Sequence, residues 1–310
     1  MAFDRLINAI IEKQNPTVAG LDPKLDYIPD FIKQSAFEKH GKTLEGAAAA
    51  LLEFNKGLID ALYDIVPAVK PQAAYYEMYG WQGVKTLAET VAYAKSRGMY
   101  VIIDGKRNDI GSTMQAYATA HLGDTAIEGQ TFEAFGGDAL TVNGYFGIDG
   151  IAPLLSICTE KDKGIFVLVK TSNPSSGELQ DKELSEGDTV YLRMGQKCEE
   201  WGAALIGESG YSAVGAVVGA TYPAQLSELR QQLKHTFFLV PGYGAQGGGA
   251  WDVKGAFDEN GIGAIINSSR AIMCAWQKEN CPEDYAQAAR REALRMRDDL
   301  RNVIGEMKIN

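Results

Sequence analysis

The chain has 310 residues, 45% hydrophobic and 23% charged, with 34 glycines and 10 prolines, a composition that excludes disordered and collagen-like proteins. Thirty Lys and Arg against forty Asp and Glu give a net charge of −10, and no basic run offsets it, which argues against a nucleic-acid binder or a basic membrane-surface protein. No apolar run approaches the ~18 residues of a membrane helix, and the opening MAFDRLINAIIEKQ lacks a secretory signal, so a cytoplasmic protein is expected.

The first strand candidate is TVAGLD at 17–22, followed by a long loop at 23–43. A helix is predicted over 44–65, where Ala47, Leu51, Phe54, Leu58 and Leu62 recur at three- and four-residue spacing and form one apolar stripe. Strand 67–72 and helix 81–97 come next, then strand 99–106 and helix 112–134, then strand 138–143 and helix 149–160. Strand 165–172 leads into a second long loop, 173–189, and helix 190–207. Strand 214–221, helix 222–234, strands 237–242 and 264–269, and helix 283–305 complete the chain. The strand candidates are almost continuously apolar and rich in β-branched residues, as expected of parallel strands buried on both faces.

Eight such strands alternate with helices, and no Pro- or Ser-rich linker divides them. The prediction is a single (β/α)₈ barrel over residues 1–310, in preference to an open doubly wound sheet with an extra lobe. Both long loops leave the C-terminal end of a strand, the face where barrel enzymes carry their sites. The composition of 173–189 suits a lid, and equally suits a tolerated surface insertion.

A packed barrel interior gives no reason to place polar or charged residues at strand C-termini, so Asp22, Lys70, Asp104, Lys106, Ser172, Gln246 and Arg270 are the candidate site residues. Asp104 and Lys106 stand two apart on an extended chain and therefore share a side. A lone pair of this kind reads equally as a salt bridge closing the barrel, but Lys70 on the neighbouring strand makes a convergence of three ionisable groups. The glycine-dense PGYGAQGGG at 241–249 can turn backbone N–H groups toward an anion, and Arg270 adds the planar donor fork that phosphate favours. A small phosphorylated substrate is implied. Cys158, Cys198, Cys274 and Cys281 form no CxxC, and His40, His121 and His235 cluster with none of them, so neither a disulfide framework nor a metal site is expected.

DGKRNDIGST at 104–113 resembles the DxKxxDIxxT signature of the orotidine 5′-phosphate decarboxylase family. The flanking matches come in the family's order: Asp22 in GLDP, Lys70 in AVKPQ, Ser172-Asn173-Pro174, Gln246 and Gly247 in PGYGAQGG, and Arg270 in SSRAI. The two long loops and the Lys-Pro after the second strand make the chain similar to the family's longer bacterial branch. The resemblance implies a cofactor-free, metal-free homodimer with shared active sites that converts orotidine 5′-monophosphate to uridine 5′-monophosphate (UMP) and CO₂, the last step of pyrimidine synthesis. By position it makes Lys106 the proton donor to C6 and sets Asp104 against the departing carboxylate. Lys70 would hold Asp104 and a ribose hydroxyl. Asp109, Ile110 and Thr113 would reach the partner's site. Asp22 would bind the ribose, Ser172 the pyrimidine edge, and Gln246, Gly247 and Arg270 the phosphate.

Two other readings compete. Sugar-phosphate decarboxylases and aldolases of the same suite share D-x-K-x-x-D but hold Mg²⁺ on an acidic residue after the second strand, where this chain has Lys70. A non-catalytic nucleotide-binding barrel would keep the fold without turnover, and the intact set of Lys70, Asp104, Lys106 and Asp109 argues against it.

Overall fold

A computed structural model describes residues 2–244 and 248–309. Eight parallel strands close into a barrel: β1 (Thr17–Leu21), β2 (Ala68–Pro71), β3 (Tyr100–Arg107), β6 (Ala139–Val142), β7 (Gly164–Lys170), β8 (Val214–Val218), β9 (Phe238–Val240) and β10 (Ala264–Ser268). Two short strands between β3 and β6, β4 (Thr125–Ile127) and β5 (Gln130–Phe132), form a separate antiparallel hairpin. Around the barrel each strand neighbours the one before and after it in sequence, and β1 pairs with β10 to close the ring. This is the predicted (β/α)₈ barrel, and every strand candidate lies in it.

Alternation along each strand divides two cores. Residues pointing inward, among them Val18, Ala68, Ile102, Phe166, Leu239 and Ile265, fill the barrel. Those pointing outward, such as Val69, Ile103, Val167 and Ile266, meet the helices. The helix Leu44–Leu62 buries Ala47, Leu51, Phe54, Leu58 and Leu62 as its stripe predicts, and the Thr43 hydroxyl caps its start by accepting from the Gly46 N–H.

Three stretches differ from expectation. The opening residues form the helix Ala2–Lys13, whose Phe3, Leu6, Ile7 and Ile10 plug the lower end of the barrel. Phe3 stacks on Phe166 at 4.7 Å between ring centroids. The helix predicted over 112–134 stops at Leu122, and β4 and β5 follow. The two-residue turn between them, Glu128-Gly129, has φ of 46° and 86°, the left-handed pair that a tight hairpin requires. The loop at 23–43 contains the helix Asp30–His40, which buries Ile32 and Ala36 and sets Phe31 against the Tyr285 ring at 6.3 Å between centroids. Its partner at 173–189 keeps only a short 3₁₀ turn, Pro174–Glu178, and an isolated bridge between Glu183 and Thr189.

Among the described residues no helix is long and apolar enough to cross a membrane.

Candidate active site

A cavity of about 670 Å³ opens at the C-terminal ends of the barrel strands. Its floor is divided by strand. Leu168, Val217 and Leu239, from β7, β8 and β9, form an apolar half, whereas Lys70, Asp104, Lys106 and Thr141, from β2, β3 and β6, form a polar one. A ligand with one apolar and one charged side suits such a floor.

Asp104 is the hub. Its Oδ2 accepts from Lys70 Nζ at 2.7 Å, and its Oδ1 accepts from Lys106 Nζ at 2.7 Å and from the Thr141 hydroxyl at 2.7 Å. The Lys70 and Asp104 side chains are only 5% and 8% exposed, whereas Lys106 is 46% exposed and faces the open cavity. Burial alone would raise the Asp104 carboxyl, but the two ammonium groups outweigh it and hold Asp104 well below the usual carboxylate range. Burial likewise works against the Lys70 ammonium, and Asp104 and then Asp22 overcome it, so Lys70 lies above its ordinary value. At neutral pH Asp104 is therefore ionised and Lys70 charged, with Lys106 on the other oxygen of the carboxylate.

Local backbone makes this possible. Lys106 has φ of 48°, a left-handed conformation that costs an ordinary residue about 1–2 kcal/mol. Register breaks at the same place: Ile103 pairs with Leu140 and Arg107 with Val142, so that 104–106 bulge opposite Thr141 alone. Beside Lys70 in the strand register, Gly20 lets the segment after β10 approach β1. A Cβ at Gly20 would lie 1.9 Å from Ser269 Oγ.

Asp22 lines the cavity, and its Oδ1 is buried with no hydrogen-bond partner among the described residues, leaving an acceptor for a ligand hydroxyl. Arg270 starts a short helix after β10, lines the cavity and has no ion-pair partner among the described residues. Ser172 also lines it, with Thr171 and Asn173. Gln246 and Gly247 lie outside the described residues. The structure thus gathers Asp22, Lys70, Asp104, Lys106, Ser172 and Arg270 around one cavity. It does not bring Asp109, Ile110 or Thr113 to the cavity of their own chain. The Asp109 carboxylate accepts from the Ile110 N–H at 2.8 Å, and Ile110 and Thr113 are exposed.

Sequence reasoning missed several residues. Thr141 and Asn267 interrupt apolar strands with polar, inward-facing side chains, a signal readable from alternation. Tyr27 and Tyr75 line the rim and share the Lys24 ammonium, which lies 5.7 and 5.5 Å from their ring centroids. Lys170, wholly buried at the end of β7, donates to Asp181 at 2.6 Å and to Ser176 at 3.1 Å, and so ties the 173–189 loop to the barrel. Gln180 adds a second tie, accepting from the Thr171 N–H at 2.9 Å and donating to its hydroxyl at 2.8 Å.

The profile of a family described as "Orotidine 5'-phosphate decarboxylase / HUMPS family" matches residues 49–283. The chain is 43% identical to an orotidine 5′-phosphate decarboxylase of Rhodopirellula baltica over 307 residues, 97% of this chain and 99% of the relative. It is 42% identical to the Caldicellulosiruptor bescii enzyme of the same name over 274 residues, 88% of this chain and 90% of that one. Among solved structures, one from Streptomyces avermitilis described as a candidate orotidine 5′-phosphate decarboxylase is similar with a TM-score of 0.77 at 32% identity, covering 97% of this chain and 95% of that chain.

Proposed function

The chain belongs to the orotidine 5′-phosphate decarboxylase family and decarboxylates orotidine 5′-monophosphate to UMP and CO₂, and we propose that Lys106, Asp104, Lys70 and Asp109 carry that reaction. The observation that carries the assignment is the Asp104 carboxylate gripped on both oxygens by Lys70 and Lys106, on the floor of a cavity whose rim holds Arg270, without an ion-pair partner among the described residues.

The chemistry demands such a cluster. When the bond from C6 to the carboxylate carbon breaks, its electron pair stays on C6 in the ring plane, where the ring π system cannot delocalise it. Stabilisation must then be electrostatic. Lys106 supplies it: the ammonium gains interaction energy as charge moves from carboxylate to C6, then transfers a proton to C6 while CO₂ leaves. The resulting neutral amine is reprotonated from water. Asp104, ionised beside it, also repels the substrate carboxylate. At about 4 Å and an effective dielectric near 20 this amounts to roughly 4 kcal/mol, some three decades of rate if fully relieved. Repulsion is the smaller contribution for a carbanion this unstabilised, and Lys106 ranks first. Asp22 with its bare oxygen takes a ribose hydroxyl, Ser172 takes the pyrimidine edge, and Arg270, with Gln246 and Gly247, takes the phosphate.

The same reading makes residues 1–310 one barrel domain that works as a cytoplasmic homodimer. Four free cysteines suit a reducing compartment. Ile110, Tyr145, Phe146 and Ile148 are each at least half exposed, and a Cβ on Gly150 would touch both Asp109 and Phe146. Asp109 therefore sits on the rim of an apolar patch that a second copy of the chain would cover.

The test is loss of orotidine 5′-monophosphate absorbance with a chelator present. Turnover that survives chelation supports the proposal. Turnover only with added Mg²⁺ and a sugar phosphate would favour the related aldolase-like chemistry, and nucleotide binding without turnover would leave a non-catalytic barrel.

A further inference from the structure

Between Ile103 and Arg107 the β3 ladder to β6 is broken, and Asp104, Gly105 and Lys106 all lie opposite the single residue Thr141. A bulge of this kind leaves backbone groups without their ladder partners. The Lys106 N–H finds a substitute acceptor in Thr141 Oγ1 at 3.0 Å. The same hydroxyl donates its one proton to Asp104 Oδ1 at 2.7 Å. Thr141 is fully buried, so water does not replace either bond.

From this juxtaposition we infer that Thr141 is a positioning residue for proton transfer: one hydroxyl fixes the backbone of Lys106 and the carboxylate of Asp104 in the same register. The inference rests on Lys106 being the proton donor. Two properties single out Thr141 from an ordinary core threonine. It is the described acceptor for the amide of a residue held in a left-handed conformation, φ 48°, which needs an external restraint to persist. Among the described residues it is also the one neutral side-chain donor on a carboxylate whose other two partners are ammonium groups. While Lys106 leaves Asp104 to reach C6, the Thr141 bond keeps the Oδ1 lone pair directed and the Lys106 main chain still. Placement of a proton donor to within fractions of an ångström is what such a restraint supplies.

The experiment compares the wild type with Thr141→Val, which keeps the shape and removes the hydroxyl, and with Thr141→Ser, which keeps the hydroxyl. For Thr141→Val, kcat should fall about 10- to 100-fold, the rate equivalent of one hydrogen bond to a charged group, with KM and UMP affinity within about threefold of wild type. Thr141→Ser should regain most of the lost rate. A kcat for Thr141→Val within about twofold of wild type overturns the inference, and so does a parallel fall of kcat and UMP affinity that Thr141→Ser leaves uncorrected, the pattern of a merely structural residue. If Thr141→Val does not fold, Thr141→Ala is read by the same criteria. Absence of wild-type turnover would instead defeat the functional reading itself, whereas normal wild-type turnover with an unaffected Thr141→Val defeats only the role of Thr141.

Discussion

Lys170 and Asp181 form an asymmetric ion pair: the ammonium is wholly buried at the end of β7, while the carboxylate 2.6 Å away, in the loop that follows, is 42% exposed. The face of the Tyr222 ring lies 4.3 Å from the same ammonium. Removing one partner does not have the same cost as removing the other. Asp181→Asn leaves a charge in the interior, met by a neutral amide, Ser176 and the rings of Tyr191 and Tyr222 in place of a carboxylate. Lys170→Met leaves a carboxylate that water can solvate, and fills the space with an apolar chain. Asp181→Asn should therefore cost more stability, roughly 1–3 kcal/mol, and Lys170→Met less, as read by urea denaturation. Both should raise KM for orotidine 5′-monophosphate, because Thr171, Ser172 and Asn173 line the cavity beside this anchor. A larger stability loss in Lys170→Met would show that the buried charge does not govern the pair.

Arg270 offers a guanidinium at the cavity rim with no ion-pair partner among the described residues. Arg270→Ala should weaken UMP binding by about 2–3 kcal/mol, tens- to about a hundredfold, while uridine, which lacks the phosphate, binds as before. Calorimetry with the two ligands separates the effects. Equal losses for both would remove Arg270 from the phosphate site.

His121 supplies a pH dependence independent of the active site. It is buried, its ring lies 4.8 Å from that of Phe135, and its Nδ1 has no hydrogen-bond partner among the described residues. Burial, with a smaller contribution from the Arg107 charge, lowers it from 6.5 to about 4. Above pH ~6.5 the imidazole is neutral whether the chain is folded or not, and it contributes nothing to pH dependence. As pH falls below that value the unfolded chain binds a proton that the folded one refuses until about pH 4. Stability should thus drop by roughly 2 kcal/mol between pH 7 and pH 5 from this residue alone. His121→Phe should flatten that part of the profile in denaturant titrations at the two pH values; parallel profiles for wild type and variant would contradict it.

The barrel was legible because short, continuously apolar and β-branched runs such as IFVLVK of β7 recur eight times between helical stretches, the pattern of parallel strands buried on both faces. Their i, i+2 spacing put Asp104 and Lys106 together, but the chain is not extended there: a bulge over 104–106, with Lys106 in a left-handed conformation, is what brings the two side chains together. The helix predicted over 112–134 ran too long because apolar residues continue past Gly123, and the Glu128-Gly129 turn was outweighed by them. Helix Ala2–Lys13 carries a regular stripe, Phe3, Leu6, Ile7 and Ile10, but its role as a plug depends on the barrel being there to receive it. What Thr141 and Lys170 do was hidden for a different reason. The polar break at Thr141 is readable from alternation, but the roles of both residues come from tertiary events, a register break at 103–107 and a loop folding back.

The placement of Asp109 yields the most demanding prediction. Asp109 stands three residues from Lys106 yet is absent from the cavity that Lys106 lines, and beside it lies the exposed apolar group of Ile110, Phe146 and Ile148. If Asp109 completes the site of a second subunit, each catalytic centre takes Lys106 from one chain and Asp109 from the other. Homodimers of Lys106→Ala should lose several decades of turnover while still binding UMP, because the phosphate and ribose contacts remain. Homodimers of Asp109→Ala should also be impaired. In a mixed dimer, one centre lacks both groups and the other lacks neither. With random exchange about half the dimers are mixed, so recovery should approach roughly a quarter of wild-type activity. If Asp109 served its own chain instead, every centre in every dimer would lack one group, and mixing would restore nothing. Activity measured before and after subunit exchange, with exchange verified by mass labels, decides between the two arrangements.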